Sequence, residues 1–161
     1  MDYVFHIMDI PLFYYAIVVD AAVVLFLCKR KLSLCLLLPY LFLILSFTIL
    51  VRYPSTDRHL IFQPFWSYEQ WHKQREQVIS NIFMFIPVGA LASDNWSWKS
   101  IPFASGFSLL IEFSQFLTRR GYCEFDDIFH NTLGTIIGVF LYFGIIKIYK
   151  YYSYKLQQNN R

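Results

Sequence analysis

Charge is what this 161-residue chain has least of. Only 16% of its residues are Asp, Glu, Lys or Arg, against 57% hydrophobic and 20% aromatic. A soluble domain carries about a quarter charged residues, so the polar surface needed to cover a water-soluble globule is missing. A nucleic-acid face is excluded too, because the net charge is only +3 and the Lys and Arg residues fall in short clusters between apolar runs. Cysteine is scarce and odd in number. Cys28 and Cys35 lie in or beside apolar runs and Cys123 stands alone in a polar loop, which argues against a disulfide framework and a zinc site. No cleavable leader is visible at "MDYVFHIMD", which is acidic where a leader is basic. The expectation is an all-α integral membrane protein in a single domain, residues 1–161.

What is present is a series of apolar runs. Five stretches, about 10–28, 32–51, 78–93, 101–118 and 128–146, reach or approach the roughly 20 helical residues that cross a hydrocarbon core. They predict a polytopic bundle of five transmembrane helices. The third stretch is short and holds Pro87 and Gly89, which predicts a tilt or kink. Between Arg52 and Gln77 the sequence "FQPFWSYEQWHKQREQ" reads as an interfacial loop or short amphipathic helix, with Trp66 and Trp71 at headgroup level. "DNWSWK" reads as a turn and nothing more.

Positive charge sets the orientation. Lys29, Arg30, Lys31, Lys99 and the basic tail 147–161 on one side outweigh Arg52, Arg58, Lys73, Arg75, Arg119 and Arg120 on the other. The prediction is a multi-pass protein of the bacterial cytoplasmic membrane, N-terminus outside and C-terminus cytoplasmic. Asn81, Glu112, Gln115, Arg120, Asp126, Asp127 and Asn131 then share one level near the outer surface.

These residues also follow helical spacing. Ser105, Ser108, Glu112, Gln115 and Arg119 make one stripe, and Asp127, Asn131, Gly134 and Gly138 another. Gly134 and Gly138 form a G-x-x-x-G pair, suited to an internal helix contact or to a second copy of the chain. Glu112 sits about 9 Å of helical rise from the outer end of its stretch, where burying a charge is costly unless Arg119 or Arg120 reaches it. Intramembrane carboxylates of this kind mark functional sites by default, although helix pinning is the plain alternative for any one of them. Asp20 is open to either reading, and His130 is expected at the interface or in a structural role.

In the blocks "TILVRYP", "FQPFWSY", "NIFMFIPVGAL", "IEFSQ" and "RGYCEFDDIFHNTLGTIIG", in that order, the chain resembles the VanZ-like family of bacterial membrane proteins over about 48–142. The resemblance implies a small polytopic helical protein, and the family's namesake is associated with low-level teicoplanin resistance. By position it assigns the polar motif to Asn81, Glu112, Gln115, Arg120, Asp126, Asp127 and Asn131. Pro87, Gly89, Gly134 and Gly138 shape the backbone. Arg119 departs from the pattern, since a small residue is usual before the motif arginine.

Three functions stay open. One is binding of an amphiphile of the cell envelope, either a lipid-linked wall component or an acyl-tailed glycopeptide. Another is carboxylate-dependent hydrolysis or transfer by Glu112 with Asp126 or Asp127. The last is a scaffold whose polar groups serve helix packing. No Ser–His or Cys–His pairing and no His cluster is in view, a site of His130 with Asp126 and Asp127 is a weak signal, and no cofactor is implied. Membrane lipid is the expected surrounding partner.

Overall fold

The computed structural model describes residues 33–56 and 60–159. The expected first span at 10–28, with Asp20 and the Lys29–Lys31 cluster, lies outside the described residues.

Helix α1 spans Ser33–Leu45 and runs on into a wider π-type turn, Ser46–Leu50. Two hydroxyls bond back one turn there, Ser46 to the Phe42 carbonyl at 2.8 Å and Thr48 to the Ile44 carbonyl at 2.7 Å. Such back-bonding satisfies side-chain polarity inside an apolar run and competes with the regular ladder. A two-residue strand β1 (Leu60–Ile61) and a single helical turn α2 (Trp66–Glu69) follow. Then come α3 (Trp71–Trp96), α4 (Ser100–Thr118), strand β2 (Cys123–Glu124) and α5 (Phe125–Asn159).

α3 is longer than the expected 78–93 stretch by seven residues at its start. "WHKQREQ" carries no apolar run but is rich in good helix formers, so it extends the helix at the polar end. The helix passes through Pro87, which is buried. At the far end "DNW" is the last turn of α3. The chain reverses only at Ser97, whose φ of 55° breaks the ladder. α5 likewise continues through the expected tail to Asn159.

α1 and α4 run one way, α3 and α5 the other. The register follows from paired residues. Gln77 meets Asp127, and Tyr142 meets Asp94, which makes α3 and α5 parallel. Ser108 meets Asn131, so α4 is antiparallel to α5. Tyr40 meets the Met84 carbonyl while Ser33 meets Asp94, so α1 is antiparallel to α3.

α3 and α5 pack closest. A methyl group on Gly134 would overlap the Ile82 carbonyl, one on Gly138 the Ile86 carbonyl, and one on Gly89 the Thr135 carbonyl. The G-x-x-x-G face thus seats a helix of the same chain. Beside this seam lies an apolar core of Leu37, Ile44, Phe85, Val88, Leu91 and Ile111. Outward, large apolar side chains stand exposed, among them Leu38, Phe42, Leu109, Leu110, Phe113, Leu117 and Phe140. A surface of that kind suits hydrocarbon rather than water.

Among the described residues, two helical stretches, Trp71–Thr118 and Phe125–Gln158, are long and apolar enough to cross a membrane. Cys35–Leu50 is a shorter apolar helix. The first stretch folds back at Ser97 and so holds both α3 and α4.

At the end of the bundle near Ser97, Asp94 accepts from the Ser33 hydroxyl (2.8 Å) and the Tyr142 hydroxyl (2.7 Å), and Asn95 donates to Ser33 (2.9 Å). This knot ties α1, α3 and α5. "DNWSWK" is therefore more than the bare turn expected of it, since Asp94 and Asn95 hold three helices together.

Candidate functional site

At the opposite end three acidic side chains converge. Glu112 projects from α4, Asp127 from the first turn of α5, and Glu124 from β2 just before it; all are buried. The Glu112 carboxylate accepts the Glu124 backbone N–H at 2.8 Å, which fixes the β2 segment across the helix ends. Gln77, in the polar first turns of α3, donates its amide to both Asp127 oxygens (3.2 and 3.1 Å) and, at 3.5 Å, to Glu124. β1 pairs in parallel with β2, Leu60 opposite Cys123 and Ile61 opposite Glu124, and closes this end.

The cation of the cluster is Arg52. It lies within electrostatic reach of Glu112, Glu124 and Asp127. Its Nη1 and the Gln115 Oε1 both press on Gly121, where an added Cβ would come within 2.9 and 2.8 Å of them. Arg52 was expected only as part of the charge balance. Its signal was its place in the "TILVRYP" block directly after an apolar stretch. Gln77 closes the segment expected as an interfacial loop or short amphipathic helix, yet it stands one helical turn before Asn81 on α3.

The seven expected residues divide. Asn81 stands beside Asp127, with its Nδ2 outside hydrogen-bond geometry. Asn131 is one turn deeper than Asp127 and donates to Ser108 at 2.8 Å, while its Oδ1 accepts nothing. Gln115 donates to the Thr48 carbonyl at 3.2 Å, joining α4 to the end of α1. Glu112 and Asp127 are in the cluster itself.

Arg120 and Asp126 turn elsewhere. Arg120 donates to the carbonyls of Ile49 (3.2 Å) and Leu50 (2.9 Å), where the end of a helix leaves acceptors without partners. Arg119 is exposed at φ 59° and ends α4. Arg120 thus reaches backbone carbonyls rather than Glu112. Asp126 accepts the Phe65 N–H (2.6 Å), the Ser67 N–H (3.0 Å) and the Ser67 hydroxyl (2.6 Å). It holds the α2 turn down, with Phe65 in the left-handed region at φ 65°.

That turn covers His130. Of the two expectations for His130, the structural one fits: it is fully buried, with Nε2 3.0 Å from the Tyr68 hydroxyl and its ring against Phe129. Tyr68 in turn stacks on Trp71. Among the described residues no group of three or more His, Cys, Asp and Glu side chains is arranged to hold a metal ion.

Burial and the neighbouring Asp127 push the Glu124 carboxyl from its ordinary 4.5 up to about 8, against the opposing pull of Arg52 and of the Gln77 hydrogen bond. Burial, and then the three acidic neighbours, also raise the Cys123 thiol. Because the folded Glu124 value lies above the unfolded one, the folded chain keeps a proton that the unfolded chain has lost. This contribution to stability is full below about 4.5 and disappears as pH rises through about 8. Between these limits the stability of the detergent-solubilised protein should fall by up to about 1.4 kcal/mol per pH unit from this group. Denaturation curves of Glu124→Gln should lose that component, and an unchanged slope would assign the titration elsewhere.

A bundle with an apolar exterior and ionisable groups gathered inside one end defines a helical membrane protein. Its family follows from sequence: the VanZ/LLP1 family model matches residues 31–147, and the chain belongs to that family. No curated protein and no solved structure matches it.

Proposed function

We propose that this VanZ/LLP1 protein binds an amphiphilic molecule of the bacterial cell envelope at the Glu112–Glu124–Asp127 cluster. The observation that carries this reading is the convergence of three buried acids on one level of the bundle, beside a loop whose Phe62, Phe65, Tyr68 and Trp71 are exposed. The acids and amides suit a polar head, and the aromatic surface suits a tail at the headgroup level. A lipid-linked wall component or an acyl-tailed glycopeptide has that build. Raised tolerance of teicoplanin is the phenotype this reading expects.

The proposed setting is a five-span protein of the cytoplasmic membrane with its N-terminus and its acidic cluster outside and its C-terminus inside. Charge bias supports it, since Lys99 and the Lys147–Lys155 lysines lie at the end opposite the cluster.

Packing is the second reading, favoured by Asp126, Arg120 and Gln115, which spend their polar atoms within the fold. Purification of Glu112→Gln and Asp127→Asn separates the two. Binding requires normal folded yield with an amphiphile, detected by mass spectrometry in the parent, depleted about tenfold in the variants. A drop in folded yield with no such molecule in the parent would leave packing alone. In intact cells lacking Cys28, Cys35 and Cys123, an impermeant thiol reagent should label Tyr122→Cys and spare Lys99→Cys; the reverse pattern would turn the cluster to the cytoplasm.

A further inference from the structure

The acidic cluster is rich in acceptors and short of donors. Glu112, Glu124 and Asp127 bring three carboxyl groups, with Asp126 adjacent. Among the described residues, Glu112, Glu124 and Asp127 receive one backbone N–H and the single amide of Gln77, and Asn81 beside Asp127 leaves its Nδ2 unused. Arg52 is the cation among the described residues in reach of all three. Arg120, which the sequence offered as a partner, is committed to the Ile49 and Leu50 carbonyls.

One turn deeper the shortage continues. Asn131 is 2% exposed and its Oδ1 has no hydrogen-bond partner, although its Nδ2 is held by Ser108. Buried polar atoms of native proteins are almost always paired, so this open acceptor calls for a donor that is not found among the described residues. Its position tells where that donor would sit. Asn131 lies four residues after Asp127 on α5, and Ser108 four residues before Glu112 on α4. The Asn131–Ser108 bond therefore forms a floor in the seam between these helices, beneath Glu112 and Asp127.

We propose that this seam takes the primary ammonium group of a ligand, with one N–H donated to Asn131 Oδ1 and its charge set against Glu112 and Asp127. An ammonium has three donors and no acceptor, the complement of the carboxylates and of the open Asn131 Oδ1. This rests on the amphiphile reading above and names its headgroup: an amine-bearing amphiphile rather than a phosphate-bearing one.

Dodecylamine, dodecyltrimethylammonium and dodecyl phosphate, titrated into the detergent-solubilised full chain with tryptophan fluorescence as readout, test it. The first two carry the same charge, but only the amine has N–H donors. Dodecylamine should bind about tenfold more tightly than the trimethylated probe. Asn131→Leu should erase that ratio, and Asn131→Asp, which keeps an acceptor, should preserve it. Glu112→Gln supplies a second variant should Asn131→Leu fail to fold, and it should weaken dodecylamine by a similar factor. Equal affinity for the two cations, or a ratio indifferent to both substitutions, overturns the proposal. If dodecyl phosphate binds in a manner dependent on Glu112 and Asp127, the amphiphile reading stands and the amine does not. If no probe responds to any of these substitutions, both fall.

Discussion

Gly138→Leu is expected to abolish folded protein, whereas Gly144→Leu, six residues along the same helix, should leave yield and thermal stability nearly unchanged. A Cβ at Gly138 would overlap the Ile86 carbonyl and come within 2.8 Å of the Ala90 nitrogen, while one at Gly144 meets nothing within 4 Å. The obstruction is helix backbone, which cannot rotate away as a side chain can. Parting α3 from α5 would open the contacts around Val88, Ala92 and Val139, all fully buried. Overpacking a well-filled site costs about 1–3 kcal/mol per position when neighbours can yield. Here they cannot, and the loss should approach the whole stability of a small domain, roughly 5–15 kcal/mol. Gly106→Leu, also in open space, is a second control. Monodisperse yield in mild detergent measures all three. Equal yield for Gly138→Leu and Gly144→Leu would mean that α3 and α5 do not meet along this face.

The second large effect is expected from Asp126→Ala. Three donors, the Phe65 N–H, the Ser67 N–H and the Ser67 hydroxyl, lose one carboxylate together. Hydrogen bonds to a charged acceptor contribute about 1.5–3 kcal/mol each, and a shared acceptor makes the three less than additive. A loss of about 3 kcal/mol in the docking of the α2 turn corresponds to roughly hundredfold faster amide exchange at Phe65 and Ser67. Exchange deep in α3, around Val88, should not change. Asp126→Asn keeps one carboxyl-type oxygen and should fall between. Unaltered exchange at Phe65 and Ser67 would show that other contacts hold the turn.

The neighbouring aspartates also show how far the sequence could be read. Adjacent residues on a helix point about 100° apart. "DD" therefore announces two carboxylates with different partners, without saying which serves the loop and which the cluster. Only the placement of Ser67 and Gln77 decides it, and those residues lie 59 and 50 positions away. The stripe of Ser105, Ser108, Glu112 and Gln115 was legible because its partners are also helical, so one period describes both sides of the contact. Gly134 and Gly138 were legible for the same reason. Arg52 and Arg120 were not: a long flexible side chain at a helix end can turn to a carboxylate or to backbone carbonyls, and spacing carries no information about the choice. The start of α3 was misplaced because hydropathy marks the buried part of a helix, whereas its polar turns extend beyond it.

The parallel seating of α3 against α5 also has a consequence for the order of assembly. Gly89 needs the Thr135 backbone, which the ribosome makes 46 residues later, after all of α4. A nascent chain with α3 and α4 already in the lipid therefore holds its closest-packing surface vacant, with Asn81 and Gln77 unaccompanied beside it. The last helix arrives not as an addition to a finished pair but as the piece that fills the gap, bringing Asp127 to Gln77 in the same movement. Until then the acidic end does not exist as a site, and a chain halted before α5 would hold Glu112, Glu124 and Arg52 but lack Asp127, leaving the Gln77 amide without its carboxylate.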